Sequence, residues 1–295
     1  MTETPIPRAT YRLQFHKGFG FRDAAALAPY LARLGVSHVY ASPYLKARPG
    51  SMHGYDLVDH NRLNPELGDE AGFADMVTAF RESGLGQVLD FVPNHMGVGG
   101  SDNPWWLDVL EWGPASEYSG WFDIDWEPDR RYLLDKLLVP LLGDQYGVVL
   151  EAGQLVLRFD AETGGFAVWA YDTHKLPINP LHYSRVLGDE HPELERLGDA
   201  FSSLADWRPR IREHAKDLQA ELGALARHRD DMRGALAAAV NRINGEPGRL
   251  ETWRELDALI QDQHWRAAHF RVAADDINYR RFFNINELWA ADGIA

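Results

Sequence analysis

The first third of the chain alternates between short apolar runs and longer amphipathic stretches. This spacing predicts strand, helix, strand, helix and strand between residues 10 and 96. The first helix should start near Asp23 and end at Gly35, because glycine readily adopts the left-handed conformation that ends helices. The second should be capped by Asp69 and end at Gly84. The apolar residues at helical spacing are Leu27, Leu31 and Leu34 in the first helix and Phe73, Met76, Val77 and Phe80 in the second.

Strands that alternate with helices predict an α/β fold with a parallel sheet and right-handed crossovers. A Rossmann fold would need a third glycine after Gly18 and Gly20, but position 23 is Asp23. A (β/α)8 TIM barrel fits the pattern, and its active site is built at the carboxyl ends of the strands. Three strands, with part of a fourth near residues 282 to 285, are expected before the chain ends at Ala295, which corresponds to the N-terminal part of such a barrel.

The pattern changes after residue 96. Five of the ten tryptophans fall between residues 105 and 126, in a segment broken by proline and glycine that predicts an ordered loop. Short alternating runs from 148 to 169 predict a β-hairpin or a small meander, and residues 185 to 270 carry helical apolar stripes. The expected organisation is barrel units at 1–96, a lid-like β-containing insertion at 97–184, a helical insertion at 185–270 and a return to the barrel at 271–295.

Composition limits the classes of partner. The formal net charge of −14 disfavours nucleic acid and anionic membranes, which need clustered Lys and Arg, and it is compatible with a neutral ligand. The absence of cysteine excludes disulfides and thiolate metal sites. No signal peptide and no apolar run of about 20 residues is present. We therefore expect a cytoplasmic protein without a cofactor.

Polar residues gather at two predicted strand ends. Asn94 and His95 follow an apolar strand, and His53 and Tyr55 follow the strand before it. A histidine at a strand end can bind a ligand hydroxyl, or it can be a structural histidine with its hydrogen bonds satisfied. Tyr55 can stack on a sugar ring or pack in the core, and packing is the better explanation for most of the tryptophans. Asp90, inside the strand, is expected to be a buried structural anchor.

Five segments together resemble the α-amylase superfamily of retaining glycoside hydrolases and, more closely, the maltooligosyl trehalose synthase family. They are TYRLQF at 10–15, VYASPY at 39–44, GSMHGYD at 50–56, DFVPNH at 90–95 and DINYRRFF at 276–283. The resemblance implies an isomerase that converts the reducing-end α-1,4 bond of a maltooligosaccharide into an α,α-1,1 bond. It also implies that His53, Tyr55 and His95 bind the glucose at the cleavage point and that Asp90 and Asn94 support them. No metal is expected, because no further carboxylates are spaced to complete a calcium site.

The catalytic carboxylates of that family are not found in the sequence. Retaining glycosidases need two carboxyl groups about 5 to 5.5 Å apart, and the family's Arg-x-Asp-His-x-Asp-Gly segment is missing from residues 1 to 295. Asp275, Asp276 and Glu287 are expected to frame the cleft or to pair with Arg280 and Arg281.

We therefore expect no catalytic residue in this chain. The resemblance implies that the nucleophile and the general acid lie downstream of Ala295, so the C-terminal part of the same enzyme is the expected partner. Alternatives are another hydrolase or transglycosylase of the superfamily, an inert glucan-binding module, or a gene remnant.

Overall fold

The computed structural model of the protein describes residues 6 to 207 and 210 to 283. The chain divides into two compact units. Among the described residues, the first contains 6–98 together with 121–123 and 281–283, and the second contains 99–120, 124–207 and 210–280. No helix in the described ranges combines the length and the apolar character that crossing a bilayer requires.

The first unit contains the predicted parallel sheet. Its elements in chain order are β1 (Thr10–Leu13), α1 (Phe21–Leu34), β2 (His38–Ala41), β3 (Leu45–Ala47), β4 (Leu57–Leu63), α2 (Glu70–Glu82) and β5 (Gly86–Leu89). Strands β1, β2 and β5 are parallel and lie side by side in that order, in a register that aligns Leu13, Ala41 and Leu89. The predicted order of strands and helices is confirmed, but the antiparallel β3–β4 hairpin was not predicted.

Both predicted helices of this unit are present. Helix α1 ends at Gly35, which has φ of +87°, as predicted. It begins at Phe21, two residues earlier than predicted, and the Asp23 side chain accepts a hydrogen bond from the Gly20 N–H at 2.8 Å. The Asp69 carboxylate caps α2 by accepting from the Gly72 N–H at 2.8 Å, which confirms the predicted cap.

The core of the first unit lies between the sheet and its two helices. Leu13, Val39 and Ala41 project from the strands into this layer, because every second residue of a strand points to the same face. Phe15, Phe21 and Tyr44 form edge-to-face and tilted aromatic contacts within it. The residues between them in sequence, including Arg12 and Tyr40, therefore occupy the other face of the sheet.

The rest of the described chain contains the remaining elements. They are α3 (Pro104–Trp112), β6 (Phe122–Ile124), β7 (Leu137–Leu142), α4 (Tyr146–Glu151), β8 (Leu155–Asp160), β9 (Gly165–Ala170), β10 (His174–Pro177), α5 (Tyr183–Leu187), α6 (Pro192–Ser202), α7 (Ile211–His228), α8 (Asp230–Ile243), α9 (Arg254–Gln261), β11 (Trp265–His269), α10 (Ala273–Asp276) and β12 (Tyr279–Phe283). Strands β8, β9 and β10 form an antiparallel sheet, called the meander below.

Several predictions for this region were wrong in detail. The tryptophan-rich segment begins with helix α3 rather than a loop, because the Asn103 side chain accepts from the N–H groups of Trp105 and Trp106 and Pro104 occupies the first turn. The meander spans residues 155 to 177, and Val148 lies in α4 instead. The helical character of 185 to 270 holds for α5 to α9, but β11 pairs in parallel with β7 and was not predicted.

Candidate active site

The predicted site residues come together at the carboxyl ends of β2 and β5. Strand β5 ends at Leu89, so Asp90 lies just beyond the strand and not within it as predicted. The Asp90 N–H still donates to the Ala41 carbonyl at 2.9 Å. The hydrogen bonding between β2 and β5 therefore continues one residue beyond Leu89, the last residue of β5. The side chain is 20% exposed, so the predicted burial of Asp90 is only partial.

Asp90 is the centre of a hydrogen-bond network. Its Oδ2 accepts from the hydroxyl of Tyr55 at 2.5 Å and from the hydroxyl of Tyr40 at 2.8 Å, and Arg12 Nη1 lies 3.6 Å away. The hydrogen bond from Tyr55, followed by those from Tyr40 and Arg12, holds the pKa of Asp90 below its usual value against the opposing effect of burial. The carboxylate therefore stays ionised at neutral pH and fixes the tyrosine hydroxyls.

Tyr55 connects this network to the loop between β3 and β4. Its hydroxyl donates to Asp90 and accepts from Arg12 Nη2 at 2.7 Å, and its backbone N–H donates to His53 Nδ1 at 3.0 Å. Burial and the hydrogen bond to Asp90 raise the pKa of Tyr55, so it remains a neutral phenol. The rings of His53 and Tyr55 are stacked, with centroids 6.0 Å apart. Together they place two aromatic rings beside charged and hydroxyl groups.

Gly54 shapes this loop. Its φ is +77°, and a Cβ there would lie 3.1 Å from the Pro43 carbonyl oxygen, so the turn favours glycine. The Gly54 N–H donates to Ser51 Oγ at 3.1 Å, and the same hydroxyl donates to Asp56. This local bonding holds His53 and Tyr55 close to the strand end.

His95 and Asn94 lie on the loop after β5. The Nε2 of His95 is 3.1 Å from the carbonyl oxygen of Tyr55, and its Nδ1 is 3.1 Å from Asn94 Oδ1. Each ring nitrogen therefore lies within hydrogen-bond distance of a protein oxygen, and a sugar hydroxyl would have to take the place of one of these oxygens. The exposed Asn94 amide is the partner that can turn away with the smaller change in the fold.

Arg12 and Tyr40 were not predicted as site residues. The register of β1 and β2 pairs Arg12 with Tyr40, and the guanidinium lies over the tyrosine ring at 4.9 Å from its centroid. Both residues stand in segments that carry the family resemblance. The signal that could have found them is the alternation of TYRLQF, in which Leu13 and Phe15 are buried and Arg12 must face the other way.

The acidic residues near the end of the described chain occupy other positions. Asp276 pairs with Arg130 and accepts a hydrogen bond from the Tyr132 hydroxyl at 3.2 Å, contacts that the sequence did not suggest. Asp275 is exposed. Between residues 6 and 283, leaving aside 208 and 209, no three acidic or imidazole side chains are grouped so as to hold a metal ion.

Two of the predicted positions fall outside the described residues. Glu287 and Ala295 both lie beyond residue 283, where the description of the structure ends. The expected framing of the cleft by Glu287 therefore stays a prediction. The location of the nucleophile and the general acid downstream of Ala295 also stays a prediction.

The comparisons with known proteins agree with the motif assignment. A family model of the α-amylase catalytic domain matches residues 26–140. A protein of Mycobacterium tuberculosis, provisionally named a maltooligosyl trehalose synthase, is 47% identical over 147 residues, which are 48% of this chain and 19% of that protein. The solved maltooligosyltrehalose synthase from Arthrobacter ramosus superposes with a TM-score of 0.63 at 30% identity, over 98% of this chain and 28% of that one.

The resemblance to the maltooligosyl trehalose synthases is confirmed. The match to the Arthrobacter ramosus enzyme covers both units of this chain, whereas the intracellular maltogenic amylase of Bacillus subtilis is 38% identical over 95 residues, 32% of this chain and 15% of that enzyme. The chain spans between a fifth and a third of the length of the synthases that it matches. The names of these relatives are those of enzymes, a synthase and an amylase.

Proposed function

We propose that this chain forms the glucose-binding wall of a maltooligosyl trehalose synthase. Such an enzyme isomerises the reducing-end α-1,4 linkage of a maltooligosaccharide to an α,α-1,1 linkage by intramolecular transglucosylation. The observation that carries the proposal is the network of Tyr55, Asp90 and Arg12 at the strand ends of a chain that resembles these enzymes over 98% of its length. The alternative is another α-amylase-type hydrolase or transglycosylase.

Each residue of the network has a role in this proposal. The Tyr55 ring stacks on the apolar face of the glucose at the cleavage point, while hydroxyls at the ring edge remain free for polar partners. His53, beside it, and His95, after release from Asn94, bind those hydroxyls. Asp90 does not touch the sugar. It holds the hydroxyl of Tyr55 and thereby fixes the plane of the ring.

The two catalytic carboxylates come from the C-terminal part of the same enzyme, downstream of Ala295, in this proposal. One attacks the anomeric carbon and forms a glycosyl-enzyme ester while the other protonates the leaving oxygen. The freed glucose turns over and its anomeric hydroxyl attacks the ester, with its proton returning to the second carboxylate. Water must be excluded during this step, since it would hydrolyse the ester. The chain alone is therefore expected to be inactive.

The unpaired edges of the first unit's sheet support the proposal that further strands complete the barrel. Among the described strands, β1 and β5 each have a neighbour on one side only. Tyr11, Leu89 and Phe91, on or just beyond these two strands, are 42%, 45% and 41% exposed. Unpaired strand edges with apolar side chains favour association with another chain segment. We assign this role to the remaining strands of a (β/α)8 barrel.

The insertion at 97–184 serves as the lid over the substrate in this proposal, and 185–270 is the helical insertion that carries it. The meander and the helices around it give the insertion a core of its own, with Leu157, Val168 and Leu176 buried. A lid needs such independent packing, because it must move without unfolding. The 97–184 segment can be shortened in the complete enzyme to test this role. We expect water then to reach the glycosyl-enzyme ester, so that free glucose appears among the products.

The proposal can be tested with two matched variants of the complete enzyme. Tyr55→Ala removes the proposed sugar platform, whereas Tyr30→Ala removes an exposed tyrosine of helix α1. We expect Tyr55→Ala to lower the rate of trehalose-end formation from maltopentaose by about a hundredfold or more, comparable with the loss of one group that acts in the transition state. Equal effects of the two substitutions would contradict a sugar-binding role for Tyr55.

A further inference from the structure

The second unit contains a cavity that the proposed function does not use. Its volume is about 250 Å³, and it lies between α3, the meander and α7. Its walls include Pro104, Glu111, Gly165, Phe166, Lys175 and Gln219. At roughly 30 Å³ for each water molecule, the space corresponds to about eight waters, which is comparable with one six-membered sugar ring.

Glu111 is the carboxylate of this cavity. Its Oε1 accepts a hydrogen bond from Gln219 Nε2 at 3.2 Å, and the same amide nitrogen lies 3.0 Å from the Tyr183 hydroxyl. Burial raises the pKa of Glu111 to about 7. Arg212, the nearby cation on α7, forms an ion pair with Asp108, in which Nη2 lies 2.6 Å from Oδ2. Within the described part of the chain, Glu111 has no ion-pair partner.

Lys175 supplies a cation to the same cavity. The partner of its ammonium group among the described residues is Asp160, at 3.8 Å, which is an ion-pair distance but too long for a hydrogen bond. Its hydrogens are therefore available to a ligand. Glu111 and Lys175 both line the cavity without forming an ion pair with each other, so the site presents a carboxylate acceptor and an ammonium donor separately.

The remaining walls complete the recognition of a neutral ring. Phe166, Pro104 and Pro177 provide apolar surface, and Gln219 adds an amide. A ligand with a net charge of either sign would meet one like charge here. A ring with several hydroxyl groups meets no such repulsion, because a hydroxyl donates to a carboxylate and accepts from an ammonium group.

We propose that this cavity binds one pyranose ring of a neutral sugar, with Glu111 accepting from its hydroxyls and Lys175 and Gln219 donating to them. The site lies within the second unit and shares no residue with the cluster around Tyr55. Its existence does not depend on the reaction proposed above. A chain that handles glucans at one site would thereby hold a sugar at a second one.

The test uses the full 295-residue chain with methyl α-D-glucopyranoside as the probe, and binding is followed by saturation-transfer NMR titration at pH 8. Glu111→Gln and Lys175→Met should each weaken binding tenfold or more, since a hydrogen bond to a charged group contributes about 1.5 to 3 kcal/mol. Matched controls are Glu162→Gln and Lys216→Met, both at exposed positions. We expect less than a twofold change for these.

A third variant adds a methyl group to the wall of the cavity without changing its charge. A Cβ at Gly165 would lie 3.2 Å from Thr163 Oγ1 and 3.6 Å from the Tyr183 hydroxyl, so Gly165→Ala narrows the cavity with only a small adjustment of its neighbours. We expect it to weaken binding of the probe while the circular dichroism spectrum remains that of the parent. Unchanged binding in all three cavity variants would overturn the assignment.

Two further measurements separate this site from the proposed active site. Tyr55→Ala should leave binding of the probe unchanged, and binding should weaken as pH falls from 8 to 6 because Glu111 becomes protonated. The charged or titratable groups that face Glu111 are Asp108 on α3, Arg212 on α7, Tyr183 on α5 and Lys175 on β10. Absence of any saturation transfer at tens of millimolar sugar, or its loss in Tyr55→Ala alone, would overturn the inference and leave the proposed function standing.

Discussion

The two sheets of this protein differ in how much of their own surface they cover. The meander buries Leu155, Leu157 and Val168 completely beneath helices of its own unit. The parallel sheet β1–β2–β5 is covered by α1 and α2 on one face, while Tyr11 and Leu89 on its outer strands remain exposed. The difference shows that the meander covers its apolar residues within its own unit, whereas the outer strands of the parallel sheet leave apolar side chains exposed. Its polar network lies at the strand ends, where continuation of a barrel would close a pocket.

The largest change in stability is expected from a substitution that disturbs the packing of the meander against α7. A Cβ at Gly164 would lie 1.7 Å from the carbonyl oxygen of Gln219, and φ at Gly164 is +68°. Gly164→Ala should therefore reduce the free energy of unfolding by more than about 3 kcal/mol, because both a backbone clash and a left-handed conformation are forced. Denaturant unfolding followed by circular dichroism measures the change.

The matched control for this substitution lies in the interior of α8. Gly234 is exposed, and nothing lies within 4 Å of a Cβ built on it. Gly234→Ala should raise the free energy of unfolding by about 0.5 to 1 kcal/mol through helix propensity. If both substitutions destabilised the chain to the same extent, the meander would not be packed as described.

The second prediction concerns pH, because the two units should respond in opposite directions. Glu111 has a folded-state pKa of about 7, above its unfolded value, so the folded state binds more protons between about pH 4.5 and 7. The contribution of Glu111 to stability is therefore present below pH 4.5 and is lost as pH rises to 7. At about 1.4 kcal/mol per pKa unit, the loss is at most about 3.5 kcal/mol.

Asp90 should act in the other direction. Its folded-state pKa is depressed, so its contribution is present above the unfolded value near pH 4 and is lost as pH falls through the folded pKa. Hydrogen exchange followed separately for β8–β10 and for β1–β2 between pH 3 and 8 distinguishes the two responses. Glu111→Gln should remove the pH dependence of hydrogen exchange in the meander and leave that of the parallel sheet unchanged. Persistence of the pH dependence in that variant would assign it to another group.

A smaller effect is expected from removal of single hydroxyls around Asp90. Tyr55→Phe should raise the pKa of Asp90 more than Tyr40→Phe does, because the Tyr55 hydrogen bond is the largest cause of its depression. Each substitution should cost about 0.5 to 1.5 kcal/mol of unfolding free energy. The pKa is measured by carbon-detected NMR of the Asp90 carboxyl group, with Tyr11→Phe as the neutral control. The reverse order of the two shifts would contradict the described geometry.

The smallest effect on stability is expected at the outer strand β5. Leu89→Lys changes an exposed apolar residue, so the free energy of unfolding should change by less than about 0.5 kcal/mol. Self-association, measured by light scattering, should fall, because charged residues on an edge strand oppose pairing between chains. The same change at the buried Leu157 of the meander should unfold it. If the Leu89→Lys variant self-associated as strongly as the parent, the proposal that this strand edge pairs with another chain segment would lose its support.

The sequence predicted those parts of the fold that depend on local signals. Gly35 and Asp69 ended and capped the helices as expected, since a left-handed glycine and a carboxylate N-cap act within one turn. Helix α3 was missed, although Asn103 and Pro104 carried a start signal, because its many aromatic side chains have modest helix propensity. The pairing of β11 with β7 joins residues more than a hundred positions apart, and no local pattern encodes it.

The candidate site was predictable to a similar degree. The order of strands and helices placed Tyr55 at a strand end and Asp90 inside the neighbouring strand, and the two side chains form a hydrogen bond. Arg12 and Tyr40 were missed because their joint position follows from the register of β1 against β2, which a strand prediction does not supply. The bonds from His95 to the Tyr55 carbonyl and to Asn94 are also set by loop geometry and not by sequence spacing.

The most direct test of the proposed function is product analysis of maltopentaose incubated with the protein encoded by the complete source gene, whatever its length. We expect the reducing end to disappear without release of glucose, as a product of the same size with an α,α-1,1 terminal linkage forms. An increase in reducing ends would identify a hydrolase, and the absence of any turnover would identify a protein without the catalytic carboxylates. Either of these results would contradict the assignment of this chain to a trehalose-forming active site.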